Sequence, residues 1–481
     1  MSSSLSMGTD SQLTRPEVDL ISLRFGRLRG AMPPLGPLSL KASLGAAGIS
    51  CRVTDVQFDT NMNAFSIESL ANWIRGSRAS TIGFSVFNDA IPLVIAALDS
   101  LHGDRDLPRM LIGGPGVVGI APRLLMRAPL IEMVVVGEGE SVLPVAVREP
   151  QRAAVLPGVF SRGRDGIAVG TGRTRREQLD TLPPVDWWSL PEHPYTIVPW
   201  STMRGCPFSC EFCEIIAFMG RKVVARDVMA AIDDLERATT ALATTQVAVL
   251  DDTFTINKRR VLGLCAEIQR RKLRISFEIF SRADTIDREM MENLSAAGCS
   301  RVFFGVDAGD DAVLNLIDKR ITIEQMERTL FQAAEFFQVT ASFIWGYPFE
   351  SHGSFQRMLE LANQFHKHKG TFPIWPQLHL VSPSAGTPLF EKFRSTLILD
   401  PAVETLPMAG VLSANSFRRS FSTILDVVSL DPLLAAPFYR YETPMFEQKR
   451  AAVEDFNRSL DVSLGELLIQ ELTIGEEYAT N

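Results

Sequence analysis

Three of the six cysteines in this 481-residue chain fall in one short stretch, Cys206-Pro-Phe-Ser-Cys210-Glu-Phe-Cys213. A C-x3-C-x2-C spacing offers three thiolates to one metal centre. Four thiolates ordinarily hold a cubane iron–sulfur cluster, so three leave one iron with an open position for a small molecule. That points to catalysis and not only to electron storage. Zinc is the competing reading, but zinc sites usually combine C-x2-C pairs with a fourth Cys or His close by. Here the flanking histidines are His193 and His352. A disulfide fits less well still, because three cysteines on one short loop cannot all pair and nothing in the chain reads as secreted.

Such a loop needs a scaffold, and the residues after it supply one. From Val198 to Val381 short apolar runs alternate with amphipathic stretches, the rhythm of repeated βα units. Strands are predicted at 198–203, 246–251, 275–281, 301–306, 340–346 and 375–381, with helices near 225–239, 258–272, 287–297, 322–337 and 352–368. The cysteine loop follows the first strand directly, where loops at the carboxyl ends of a parallel barrel build sites. A second βα rhythm precedes it, with strands predicted at 19–23, 51–55, 81–84, 110–112 and 133–136, the pattern of a doubly wound sheet. Gly113-Gly114-Pro115-Gly116 and Gly137-Glu138-Gly139-Glu140 follow its last two strands. Glycines there either clear space for a ligand or serve tight turns, and the sequence leaves both open.

The cysteine run, with aromatic Phe212 before the last thiol and six βα units after it, resembles the radical S-adenosylmethionine (SAM) enzymes. The resemblance implies a 4Fe-4S cluster on Cys206, Cys210 and Cys213, with the open iron chelating SAM. It further implies SAM contacts from Phe212, Asp252, Ser281, Arg282, Asp307, Gly346 and Pro348. For Arg282 a surface ion pair is an equal alternative. At Gly305-Val306-Asp307-Ala308-Gly309 the chain departs from the commoner G-I-E-S-G, and the shorter Asp307 puts a direct hydroxyl contact in doubt. The Pro33-Pro34-Leu35-Gly36 run, the VVVGEGE run at 134–140 and the position ahead of a barrel resemble the cobalamin-binding subgroup. That implies cobalamin contacts from Pro34, Gly36, Asp55, Ser85, Gly113, Gly114, Gly137 and Glu138. There is no D-x-H-x-x-G, and the first histidine is His102, so cobalt is expected to lack a histidine lower ligand.

The expected organisation is a polar tail at 1–17, a Rossmann-like cobalamin-binding domain at 18–148 and a connector with a hairpin at 149–197. A partial (β/α)6 TIM barrel follows at 198–392, then a mainly helical region at 393–481. Trp187-Trp188 read as packing between domains. Phe438-Tyr439-Arg440-Tyr441 read as a domain interface, with reach to the barrel mouth as the alternative. Cys51, Cys265 and Cys299 read as buried thiols.

Composition narrows the function further. A hydrophobic content of 46% supports buried cores, and a net charge of −8 argues against a broad nucleic-acid surface. No apolar run reaches the eighteen residues of a membrane span, and the polar start does not read as a signal peptide. A reducing, cytoplasmic setting is expected. The resemblance implies a small-molecule substrate, an electron donor such as flavodoxin or ferredoxin, and methylation of an unactivated carbon through a 5′-deoxyadenosyl radical and methylcobalamin. Ring formation or rearrangement without methyl transfer is the rival within the family. Methylthiolation fits less well, because its enzymes carry three further N-terminal cysteines where this chain has only Cys51. A regulatory cobalamin- or metal-binding protein without turnover is the rival of another class.

Overall fold

A computed structural model describes residues 15–23, 31–58, 66–163, 165–170, 172, 177–190, 194–400 and 424–460. Most of the expected tail, and 401–423 and 461–481 of the expected helical region, lie outside the described residues.

The first sheet comprises β1 (Val18–Leu23), β2 (Cys51–Asp55), β3 (Thr81–Val86), β4 (Arg109–Gly113), β5 (Ile131–Val135), β6 (Val159–Arg162) and β7 (Ala168–Gly170), in the order β2-β1-β3-β4-β5-β6-β7. The first five strands are parallel, the 2-1-3-4-5 order of a doubly wound sheet. Their apolar runs are continuous because both faces are covered, and β1 is buried at every position. The hairpin expected in the connector is β6 and β7, and it extends this sheet antiparallel to β5.

The next strand predicted from sequence divides in two. β8 (Val198–Trp200) stays in the second sheet, while β9 (Met203–Arg204) pairs with β10 (Val224–Ala225) and so brackets the cysteine loop. The second sheet continues through β11 (Gln246–Val249), β12 (Ser276–Ser281), β13 (Cys299–Gly305), β14 (Gln338–Trp345) and β15 (Ile374–Leu380). All neighbours are parallel and follow chain order from β8 to β15, and among the described residues no pairing joins β15 to β8. This is an open partial barrel. Its helices start where short polar side chains cap free backbone N–H groups, as Asp227, Asn257, Asp287, Thr322 and Ser351 do. Two short helices, Glu214–Met219 and Asp311–Leu316, were not anticipated; each is shorter than two turns, so a 3.6-residue pattern has no length in which to show.

After the barrel, β16 (Leu397–Leu399) pairs antiparallel with β17 (Tyr439–Tyr441), and helix Phe446–Ser459 returns to the barrel. The ribbon departs from the mainly helical expectation, since three-residue strands show no alternation. Tyr439 packs in the core shared with the first sheet, which places the Phe438–Tyr441 run at a domain interface. Trp187 is buried and its indole N–H donates to Asp234, whereas Trp188 is exposed. Cys265 and Cys299 are buried, as expected; Cys51 is only partly so.

Candidate functional site

The cysteine loop is held from below by the end of β11. The Thr202 and Met203 N–H groups donate to Asp251 Oδ1 at 2.7 and 3.0 Å, and the Thr202 hydroxyl donates to its other oxygen. One residue on, Asp252 accepts from Gly205 N at 3.0 Å, so two adjacent carboxylates fix the approach to Cys206. Burial raises the Asp251 carboxyl from 3.8 to about 6. A folded value above the unfolded one means that the buried charge costs stability as pH rises through this window. That rise in pKa corresponds to about 3 kcal/mol. The urea-unfolding stability of the wild type relative to Asp251→Asn should fall by about that much between pH ~4 and ~6. A difference that stays flat across the window would contradict the role given to Asp251.

None of the three loop thiols is in a disulfide, and each lies close enough to the others to disfavour a second and third negative charge. Burial pushes the Cys210 and Cys213 thiols up, and for Cys210 the Lys319 and Arg282 cations oppose this. Arg282 Nη1 donates to Cys210 Sγ at 3.6 Å, and its guanidinium lies 3.7 Å from the Phe208 ring centroid. It is locked there by Asp284 and by Lys319 O, accepting at 2.8 Å. Lys319 in turn pairs with Asp307 and donates to Gly305 O. Cys206 Sγ lies 3.5 Å from the Thr253 hydroxyl. Among the described residues, no three His, Cys, Asp or Glu side chains are placed to hold a single metal ion. A cubane spreads its thiolates over different irons, wider than the roughly 2.3 Å shell of one zinc. The Cys210 thiol, flanked by buried cations, fits such a cluster, whose positive irons stabilise the thiolate form.

The remaining expected SAM contacts border this loop. Ser281 shares a hydroxyl bond of 2.7 Å with Thr255. Asp307 adopts φ +67 and is committed to Lys319. Phe212 meets Tyr347 edge-on at 6.1 Å, beside Gly346 and half-buried Pro348. Gly346 has φ +85, and a Cβ there would lie 2.5 Å from Leu380 Cδ1. Its N–H donates to Glu350, which forms a buried ion pair with Lys449 at 2.9 Å. Thus the C-terminal helix supports this turn, a role no local motif could signal across 99 residues.

The first sheet meets the same loop. Arg204, two residues before Cys206, reaches Glu138 Oε1 at 3.0 Å and Glu140 Oε1 at 2.7 Å. Burial alone would lower the Arg204 value, but the two carboxylates overcome it and hold the guanidinium charged. Ser39 adds a bond to Glu140, and Glu177 N donates to Glu138. On the other side of the loop, Glu214 accepts from Asn88 Nδ2 at 3.1 Å and from the Ser384 hydroxyl. A cleft of about 390 Å³, open mouth included, lies there between Asn88, Pro115, Gly116, Glu214 and Ser384. Burial raises Asp89 beside it to about 7, and its buried Oδ1 has no hydrogen-bond partner among the described residues.

The expected cobalamin contacts divide into committed and open residues. Asp55 is buried and accepts from Gln57 and from Tyr195 OH at 3.3 Å. Glu138 is taken by Arg204 and Glu177. Gly114 has φ +97, and a Cβ there would stand 2.6 Å from Val86 O; Gly113 has Val135 O at 3.2 Å. These two glycines therefore serve close backbone packing between strand ends. Gly137 also has positive φ, +99. Pro34 precedes helix Leu35–Ala46, Gly36 faces open space, and Ser85 lies half-buried beside Gly113 across β3 and β4. Gly36 and Ser85 leave room for a ligand at the carboxyl edge of the sheet.

Residues 21–147 match the B12 binding domain model, and residues 200–362 match the Radical SAM superfamily model. The chain joins a B12-binding domain to a radical SAM domain. It is 28% identical over 299 residues to an uncharacterized methyltransferase of Pyrococcus horikoshii, covering 59% of this chain and 62% of that protein. It is 26% identical over 370 residues to the anaerobic magnesium-protoporphyrin IX monomethyl ester cyclase of Rubrivivax gelatinosus, covering 73% and 66%. The chain thus spans just under two thirds of the length of these curated relatives. The structure of the radical SAM methyltransferase TsrM from Kitasatospora setae, with cobalamin and a 4Fe-4S cluster bound, superposes with a TM-score of 0.68 at 17% identity, covering 90% of this chain and 84% of that one. At that identity the likeness establishes a shared fold: a doubly wound sheet followed by an open parallel barrel. No helix among the described residues is long and apolar enough to cross a membrane.

Proposed function

We propose that the protein is a cobalamin-dependent radical SAM enzyme that methylates an unactivated carbon of a small molecule. In this reading Cys206, Cys210 and Cys213 hold a 4Fe-4S cluster, and Gly36 and Ser85 border the cobalamin. The observation that carries it is the Arg204 link, which joins the glutamate loop of the B12-binding domain to the cysteine loop of the barrel. When bound, the cluster with SAM supplies hydrogen abstraction from carbon and cobalamin supplies the methyl group. The chain's own residues do the rest. Arg282 and Lys319 place positive charge beside the Cys210 thiolate, and the Phe212–Tyr347–Gly346 edge offers an apolar wall with closely approaching backbone for a nucleoside. Burial of Cys206 and Cys210 limits the access of water to the reacting atoms. An external one-electron donor such as flavodoxin or ferredoxin completes the reading, and the net charge of −8 supports a substrate other than nucleic acid.

The cyclase relative favours a second reading, ring formation or rearrangement without methyl transfer. Counting SAM-derived products separates the two once a substrate is in hand. Methylation requires S-adenosylhomocysteine and 5′-deoxyadenosine in similar amounts; 5′-deoxyadenosine alone would sink it in favour of the second reading.

A further inference from the structure

One sheet face in the barrel is only partly covered: Thr340 and Ser342 on it are buried, while an aromatic ring beside them is exposed. Along β12 to β15 alternate residues point outward and are sealed by helices: Phe277, Val302, Phe304 and Phe343 are at most 1% exposed, and Phe343 meets helix residue Phe365. The residues between them face the concave side. Phe280 is 41% exposed there, in the middle of a six-stranded sheet, and its ring meets Phe303 at 5.1 Å. The register continues this row from Phe303 through Thr340 to Trp375. One row below, Arg301 pairs with Glu278 and donates to Gln338, so the floor is polar yet internally neutralised. Above it, Gln377 and His379 share the face with Ser342 and Ile344. Neither the Gln377 nor the His379 side chain has a polar partner among the described residues. Burial lowers the imidazole to about 4, so it is neutral at pH 7 and offers one donor and one acceptor.

We infer that this concave face binds the substrate of the proposed reaction, and that the substrate carries a neutral aromatic ring stacked on Phe280 and Phe303 with an adjacent hydroxyl or amide group read by Gln377 and His379. The inference rests on the reading of the chain as a radical SAM enzyme. Distance supports it: Phe303 lies two residues below Gly305, about 7 Å along the strand, where the strand end meets the Lys319–Asp307 pair beside Cys210. Charge supports it as well, because the ionised groups around the platform are already paired, which disfavours a strongly charged ligand. A partly exposed aromatic pair gains more from a flat π-face than from a saturated ring of equal size.

Isothermal titration of the full chain, reconstituted anaerobically, with 2-naphthol and with decahydro-2-naphthol tests this. 2-Naphthol should bind saturably and about tenfold more tightly than its saturated counterpart. Phe280→Ala should erase that preference, and Gln377→Leu should weaken both ligands. Equal binding of the two, no saturable binding up to millimolar naphthol, or a preference that survives Phe280→Ala would each overturn the inference. Intact SAM cleavage without naphthol binding refutes the aromatic platform alone. Naphthol binding by protein that takes up no cluster refutes the enzymatic reading instead.

Discussion

Alanine at Cys206, Cys210 or Cys213, one at a time, is expected to reduce SAM cleavage to background and to strip the protein of most of its iron and sulfide. The argument is one of ligand count. Three thiolates are the fewest that hold a cubane with one open iron; with two, a second iron is exposed and the cluster loses its anchor. The loop's own stability should suffer little, since the backbone bonds from Thr202, Met203 and Gly205 to Asp251 and Asp252 remain in each variant. Cys265→Ala and Cys299→Ala provide the contrast. Both thiols are buried in the core away from the loop, so each variant should lose modest stability and keep its cluster. Iron and sulfide analysis alongside SAM-cleavage assays reads the difference. Retention of cluster by any of the three loop variants would mean that one of these cysteines is not a ligand.

The largest effect on stability is expected at Arg204. Its side chain is 17% exposed, and Glu138 and Glu140 are 3% and 6% exposed, so the three charges are removed from bulk water together. Removing one partner from such a set leaves uncompensated buried charge and typically costs about 3–5 kcal/mol. Arg204→Met should destabilise the protein on that scale in urea unfolding. The triple variant Arg204→Met, Glu138→Gln, Glu140→Gln should recover much of the loss, because neutral groups need no counter-charge. A triple variant less stable than Arg204→Met would show that the carboxylates act through other contacts. Because Arg204 stands two residues before Cys206, the single variant should also lower the yield of reconstituted cluster more than its stability loss predicts.

These two sites differ in how far the sequence announced them. The cysteine spacing was legible because the ligands are local, and the strands were legible because two-sided burial writes continuous apolar runs such as Val18–Leu23. Caps such as Asp227 and Ser351 likewise act within three residues. The Arg204 link spans 66 residues to Glu138, and the Asn88–Glu214 bond spans 126, distances at which no periodicity operates. One signal was nonetheless present. Two glutamates that follow a run of buried valines in VVVGEGE need a cation, and an arginine beside a metal loop is a candidate for it. Glu138, expected at cobalamin, pairs with that arginine through its side chain. Similarly, the glycines at 113 and 114 left ligand space and tight packing equally open, and the nearby backbone of Val86 and Val135 supports the packing reading. Arg282 carried an ambiguity of another kind. Its pairing with Asp284 fits the ion-pair alternative, yet the same guanidinium reaches Cys210, which sequence order could not convey.

The most direct test of the central claim is the metal and cofactor content of the full chain after anaerobic reconstitution with iron, sulfide and hydroxocobalamin. The account predicts about four iron and four sulfide per chain together with about one cobalamin that survives gel filtration. About one zinc, no acid-labile sulfide and no retained cobalamin would contradict it.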